Sequence, residues 1–128
     1  MEIKVQDKIQ DSRIVFTSDF GECIATWDDD EEPDPGRKYA VEVSIPKLIT
    51  FDDVDESEEK QCLLERDQDD YVHIVGILED YEEDGFAVLR LEESIICFDS
   101  KFDVQIDQLH GKFIDLFVPE IKITSVGI

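Results

Sequence analysis

Apolar residues recurring at every second position, in runs of five to seven, are what most restrict the fold of this chain. In Tyr39-Ala40-Val41-Glu42-Val43-Ser44-Ile45 the odd positions are apolar and the even ones small or polar. That is the signature of a strand with one buried face. Arg13 to Thr17 and Glu22 to Trp27 read the same way, joined by the turn signal Ser18-Asp19-Phe20-Gly21. Val72 to Leu78 is apolar on both faces except at His73, as expected of a central strand. Phe86 to Leu91 follows after Glu82-Glu83-Asp84-Gly85, where Asp-Gly beside a strand run is a hairpin cue. Ile95 to Phe98, Phe113 to Val118 and Ile121 to Val126 complete the set.

About eight short strands with turns every eight to twelve residues predict an all-β chain, a small antiparallel barrel or sandwich formed as one domain over 1–128. At most one or two short helices are expected: an acidic turn over Asp52 to Glu59, and Asp103 to His110 ending at Gly111. The rhythm of the C-terminal half resembles a five-strand barrel of the OB type, with the Tyr71 to Leu91 hairpin at its centre and the short helix ahead of Phe113 to Val126. OB barrels often bind oligonucleotides. This chain lacks the basic groove and stacking platform that such binding needs.

Charge gives the reason. The chain holds 34 acids against 12 bases, a formal net charge of -22. Nucleic-acid binding rests on Lys and Arg releasing phosphate counterions, and adsorption to anionic lipid needs the same sign, so neither is expected. Salt adaptation of a whole proteome is a poor explanation, because Lys (8) exceeds Arg (4) and Ile (15) far exceeds Ala (3). The N-terminus has no basic segment leading into an apolar run, and no apolar stretch approaches ~18 residues. Cys23, Cys62 and Cys97 are odd in number and widely spaced, which reads as reduced thiols. A cytoplasmic location is the expectation.

The acids cluster between the strands: Asp28-Asp29-Asp30-Glu31-Glu32; Asp52 to Glu59; Glu65 to Asp70; and Glu79, Asp80, Glu82, Glu83 and Asp84. A net charge of magnitude about 2–8 suffices for solubility in a small domain. The excess stores self-repulsion and suits a basic protein partner, since complementary fields speed encounter and set register. The first and fourth clusters are the candidate partner-binding site, on the expectation that they leave adjacent strands. Trp27 and Tyr81 lie beside them as candidate aromatic anchors, with Trp27 reading alternatively as a cap on the barrel core.

Other chemistries lack their signatures. An EF-hand frame starting at Asp53 meets Glu58 where Gly is required and Leu64 where Glu is required, so no metal and no cofactor is expected. Neither CxxC nor HxxxH occurs, and His73 reads as a hydrogen-bonded wall residue rather than a ligand. No GxSxG, Walker loop or SxxK is present, and no catalytic residue is assigned, so an enzyme is not expected. Two readings stand. One is an acidic module that masks a basic partner, in its most concrete form a bacterial immunity protein that inhibits a nuclease toxin. The other is a structural or regulatory β module that assembles through an apolar sheet edge such as Ile121 to Val126, its acidity serving solubility. Oligomeric state is not legible from these patterns.

Overall fold

The computed structural model describes residues 1–126. Eleven strands follow in chain order: β1 (Glu2–Ile9), β2 (Arg13–Ser18), β3 (Gly21–Trp27), β4 (Lys38–Ser44), β5 (Val54–Glu56), β6 (Leu63–Arg66), β7 (Val72–Tyr81), β8 (Phe86–Leu91), β9 (Ser94–Asp99), β10 (Phe113–Val118) and β11 (Lys122–Ser125). A single short helix, α1 (Val104–Asp107), is capped by the Asp103 carboxylate, which accepts the Gln105 N–H, and its following turn ends at Gly111. The Asp52 to Glu59 stretch is a 3-10 turn over Phe51–Asp53 followed by β5.

Five strands close a ring in the order β1-β2-β3-β11-β4, with β4 returning to β1. A five-strand barrel is therefore present, but its centre is not the Tyr71 to Leu91 hairpin. The ring uses the first four strands and the last one, and residues 45–121 are inserted between its fourth and fifth members. The reason lies in β11. It pairs parallel with β3 (Ile123 opposite Trp27) and antiparallel with β4 (Ile123 opposite Val43), so it closes the N-terminal strands rather than extending a C-terminal barrel. Not every pairing is antiparallel: β3–β11 and β4–β9 are parallel.

The inserted strands extend the ring's wall through β4 in the order β9-β8-β7-β10-β5, and β6 lies beside the first half of β7. β6 also reaches the ring, where Leu64 N–H donates to the Phe20 carbonyl of the β2–β3 turn (3.1 Å). Paired residues share a face, and the registers carry one apolar row across both parts: Trp27, Ile123, Val43, Ile96, Leu89 and Leu78. All six are buried in one hydrophobic cluster, which also takes in Phe16, Ile74 and Leu116. No helix among the described residues is long and apolar enough to cross a membrane.

The Ile121 to Val126 stretch is not a sheet edge. β11 is hydrogen-bonded on both flanks, and Ile121 and Ile123 are fully buried. The last strand of the path is β5, three residues long, whose Asp55 and Glu56 are exposed. Short, charged edges resist strand addition.

Candidate functional site

The alternation of β3 puts Trp27 on the same inward face as Cys23 and Ala25, so its ring sinks into the barrel end at 5% exposure. Its Nε1–H donates to the Glu31 carbonyl (2.6 Å), and its ring meets Tyr39 edge-on at 5.0 Å. Tyr39 Oη in turn accepts the Asp34 N–H (2.8 Å). Asp29 holds the loop from its other side, accepting the Ser125 N–H (3.2 Å) and the Glu31 N–H (3.5 Å). Lys8 pairs with Glu32 (3.3 Å). Trp27 is thus the post around which the first acidic loop is folded, and Asp28, Asp30 and Glu31 are left exposed on the outside.

The fourth cluster is built on the same plan. A bulge between Leu78 and Asp80 shifts the phase of β7 and turns Tyr81 inward, at 9% exposure. Its Oη is hydrogen-bonded to Ser100 Oγ (2.9 Å) and accepts the Asp103 N–H (3.1 Å), and Phe102 stacks over the ring at 5.4 Å. Glu79 takes a two-pronged contact from Arg90 (2.8 and 3.0 Å from Nη2). Asp84 accepts the Phe86 N–H (3.0 Å), and Asp80, Glu82 and Glu83 are exposed. Trp27 and Tyr81 therefore position the acidic loops from within and are not exposed anchors.

The structure does not place these two clusters on adjacent strands. The first leaves β3 and leads into β4, the fourth joins β7 to β8, and neither β3 nor β4 pairs with β7 or β8. Among the described residues no hydrogen bond or ion pair links them. The first cluster is instead near the third, through Arg13. Its guanidinium lies 4.0 Å from Asp70 and lines two clefts. One cleft, about 220 Å³, reaches Trp27, Asp29 and Glu32; the other, about 320 Å³, reaches Asp69, Asp70, Tyr71 and Glu120.

Bases are few and mostly engaged. Among the described residues eight of the 12 Lys and Arg side chains pair with seven of the 34 acids, and two further acids, Glu65 and Asp115, contact His73, nine in all. Asp28, Asp30, Glu31, Asp80, Glu82, Glu83 and Asp84 are not among those nine. Asp53 is the most integrated acid. Burial pushes its carboxyl up, but the Lys47 ammonium (2.6 Å) and the Thr50 N–H (3.0 Å) outweigh that and hold it below the ordinary carboxylate value.

One arrangement was hidden from sequence reasoning. On the outer face of β7 and β10, His73 Nδ1 lies 3.2 Å from Glu65 and Nε2 lies 2.7 Å from Asp115, while its ring stacks on Phe117 at 4.4 Å. An ionised carboxylate only accepts hydrogen bonds, so both contacts form together only when both ring nitrogens carry protons. Alternation marks Tyr71 and His73 as sharing a face. What it lacks is the register that brings Phe117 and Glu65 opposite His73.

All three cysteines are free. Burial pushes the Cys23 thiol up to about 12, and burial also raises Cys62 and Cys97. Among the described residues no group of three His, Cys, Asp or Glu side chains is arranged to hold a metal ion. Comparison of the chain with protein-family models, with curated proteins and with solved structures finds no match.

Proposed function

We propose that the chain is a non-catalytic acidic binding module of the cytoplasm that masks a basic protein, most concretely an immunity protein that inhibits a bacterial nuclease toxin. The observation that carries this reading is the surplus of exposed carboxylates on rigidly held loops. Asp28, Asp30, Glu31, Glu82 and Glu83 have no cationic neighbour within ion-pair distance among the described residues, although the loops bearing them are pinned by buried aromatic posts. Such carboxylates can stand where phosphate oxygens would otherwise meet the Arg and Lys of a nuclease.

The test is a capture experiment followed by kinetics. The chain is immobilised, exposed to lysate of its source cells, and eluted along a salt gradient. The expected partner is basic, and its association slows steeply with salt. The variant Asp28→Asn/Asp30→Asn/Glu82→Gln/Glu83→Gln removes four charges and spares Asp29 and Asp84, which hold backbone. It is expected to be no less stable and to associate on the order of tenfold more slowly at low salt. A neutral partner indifferent to salt, bound equally by the variant, would sink the reading.

A further inference from the structure

We infer that the basic partner docks on the outer face of β7 and β10, with an arginine side chain lying against Tyr71 and Phe117 and its guanidinium directed to Asp69, Asp70 and Glu120. This rests on the reading above and names the surface and the side chain it would take.

Four observations converge on this face. Tyr71 and Phe117 are large aromatic residues left 44% and 41% exposed. They are close together by register: Phe117 lies opposite His73, which is two residues along β7's line from Tyr71 and on the same face. Exposed aromatic residues of this kind are enriched where binding energy concentrates. Secondly, Tyr71 forms one wall of the cleft of about 320 Å³ whose other walls are Arg13, Asp69, Asp70, Pro119 and Glu120, three acids against one base. An aromatic face beside carboxylates matches a planar cation, which stacks on the ring and donates to oxygen at its edge.

Thirdly, the carboxylates of this cleft keep oxygens without a close partner, although Glu120 Oε2 accepts the Thr26 hydroxyl (2.6 Å). Asp70 Oδ1 takes Arg66 at 2.6 and 2.8 Å. Its Oδ2 has only Arg13 at 4.0 Å, too far for a hydrogen bond. Asp69 makes no side-chain hydrogen bond among the described residues. The turn that carries both is nonetheless fixed: Asp67 accepts the Gln68 N–H (2.7 Å), and Asp67 N–H donates to the Tyr71 carbonyl (2.7 Å). A site held open in this way binds without first having to be ordered. Fourthly, the neighbouring acids Glu65 and Asp115 are tied to His73. At most one positive charge on His73 faces two carboxylates, so the aromatic centre is itself net negative and adds to the pull on a cation.

Charge also decides the occupant. A second copy meeting this face about a two-fold axis would bring the same residues together, and Asp69, Asp70 and Glu120 would face their own counterparts in a chain of net charge -22. A nucleic acid is excluded by the same sign. A basic segment rich in arginine is what remains.

The experiment titrates the full chain with a nona-arginine peptide and, separately, a nona-lysine peptide at low salt, following backbone amides by NMR. The expected result is that nona-arginine binds roughly fivefold or more tighter than nona-lysine, with the largest shifts at Tyr71, His73, Phe117 and Asp70. The double variant Tyr71→Ser/Phe117→Ser should weaken nona-arginine about tenfold and abolish its advantage over nona-lysine. Tyr71→Ser alone, which leaves the Phe117–His73 stack in place, should show part of the same loss with an unchanged melting temperature. Equal binding of both peptides, with shifts spread over Asp28 to Glu32 and Glu79 to Asp84, would overturn this surface while leaving the masking function standing. Failure of both peptides to bind at all would overturn both.

Discussion

Gly85 and Gly36 have nearly the same backbone conformation, φ +89° and +88°, but different surroundings. A Cβ on Gly36 would meet nothing within 4 Å; a Cβ on Gly85 would fall 1.9 Å from the Ser100 carbonyl oxygen. Alanine at either site bears the left-handed strain of an L residue, about 1–2 kcal/mol. At Gly85 the backbones must also separate, adding an overpacking cost of about 1–3 kcal/mol. Separation strains three contacts made by Ser100: its N–H to the Gly85 carbonyl (2.9 Å), its Oγ to the same oxygen (2.7 Å), and its Oγ with Tyr81 Oη (2.9 Å). Losing one or two of them costs about 1 kcal/mol each. The expected destabilisation is therefore about 1–2 kcal/mol for Gly36→Ala and about 3–7 kcal/mol for Gly85→Ala. The difference is the steric part, free of the φ contribution. Urea denaturation followed by the fluorescence of Trp27 measures both. Equal losses at the two sites would refute the close approach of the β7–β8 turn to Ser100 and, with it, the account of how Tyr81 and Ser100 hold the fourth acidic loop.

The remaining expectations concern single groups. Asp53 has a lowered folded value, so its contribution is fully present above the unfolded carboxylate value of about 3.9 and is lost as pH falls through the folded one. Asp53→Asn should therefore destabilise at neutral pH, with the gap to the parent protein narrowing as pH falls below the unfolded value; a gap of constant size would contradict the Lys47 and Thr50 contacts. Cys23, with its thiol pushed up to about 12 by burial, is expected to resist maleimide at about pH 8 in the folded protein and to react once the chain is unfolded. Peptide mapping of labelled thiols checks this, and rapid native labelling at Cys23 would show that β3 opens locally.

What the sequence allowed to be read followed the reach of its signals. Runs such as Tyr39 to Ile45 and Phe86 to Leu91 were legible because alternation is local, and the observed strands Lys38–Ser44 and Phe86–Leu91 agree to within a residue. β1 escaped because only Ile3 and Val5 point inward before a bulge between Val5 and Asp7 breaks the period, leaving the rest exposed. β5 and β6 escaped because each is four residues or fewer and buries a single side chain, Val54 or Leu64, within carboxylate-rich sequence. Strand order was out of reach for another reason. Hairpin cues join neighbours in sequence, whereas the ring closes through Ile123 against Trp27 and Val43, pairings set by tertiary packing alone. The same limit governed the site. The acidic loops were visible as composition, but the inward turn of Tyr81 depends on a bulge, and the Glu65-His73-Asp115 array depends on registers spanning three strands.

The position of β11 ties these loops into one framework. Ring closure needs the last strand, and residues 45–121, which precede it in the chain, lie against β4 and the β2–β3 turn. The apolar row from Trp27 through Ile123 and Val43 to Leu78 runs beneath the roots of both the first and the fourth acidic clusters. A chain of this charge gains by spreading its carboxylates apart, and would do so if its loops were free. Here they are not: Trp27 is bonded to Glu31, Tyr81 to Ser100 and Asp103, and Asp67 to Gln68. The repulsion is therefore retained in the folded state, held by core packing that no single loop can escape. Such a field is already organised before any cation approaches, so a basic partner of the kind proposed would gain the attraction without ordering the loops that supply it.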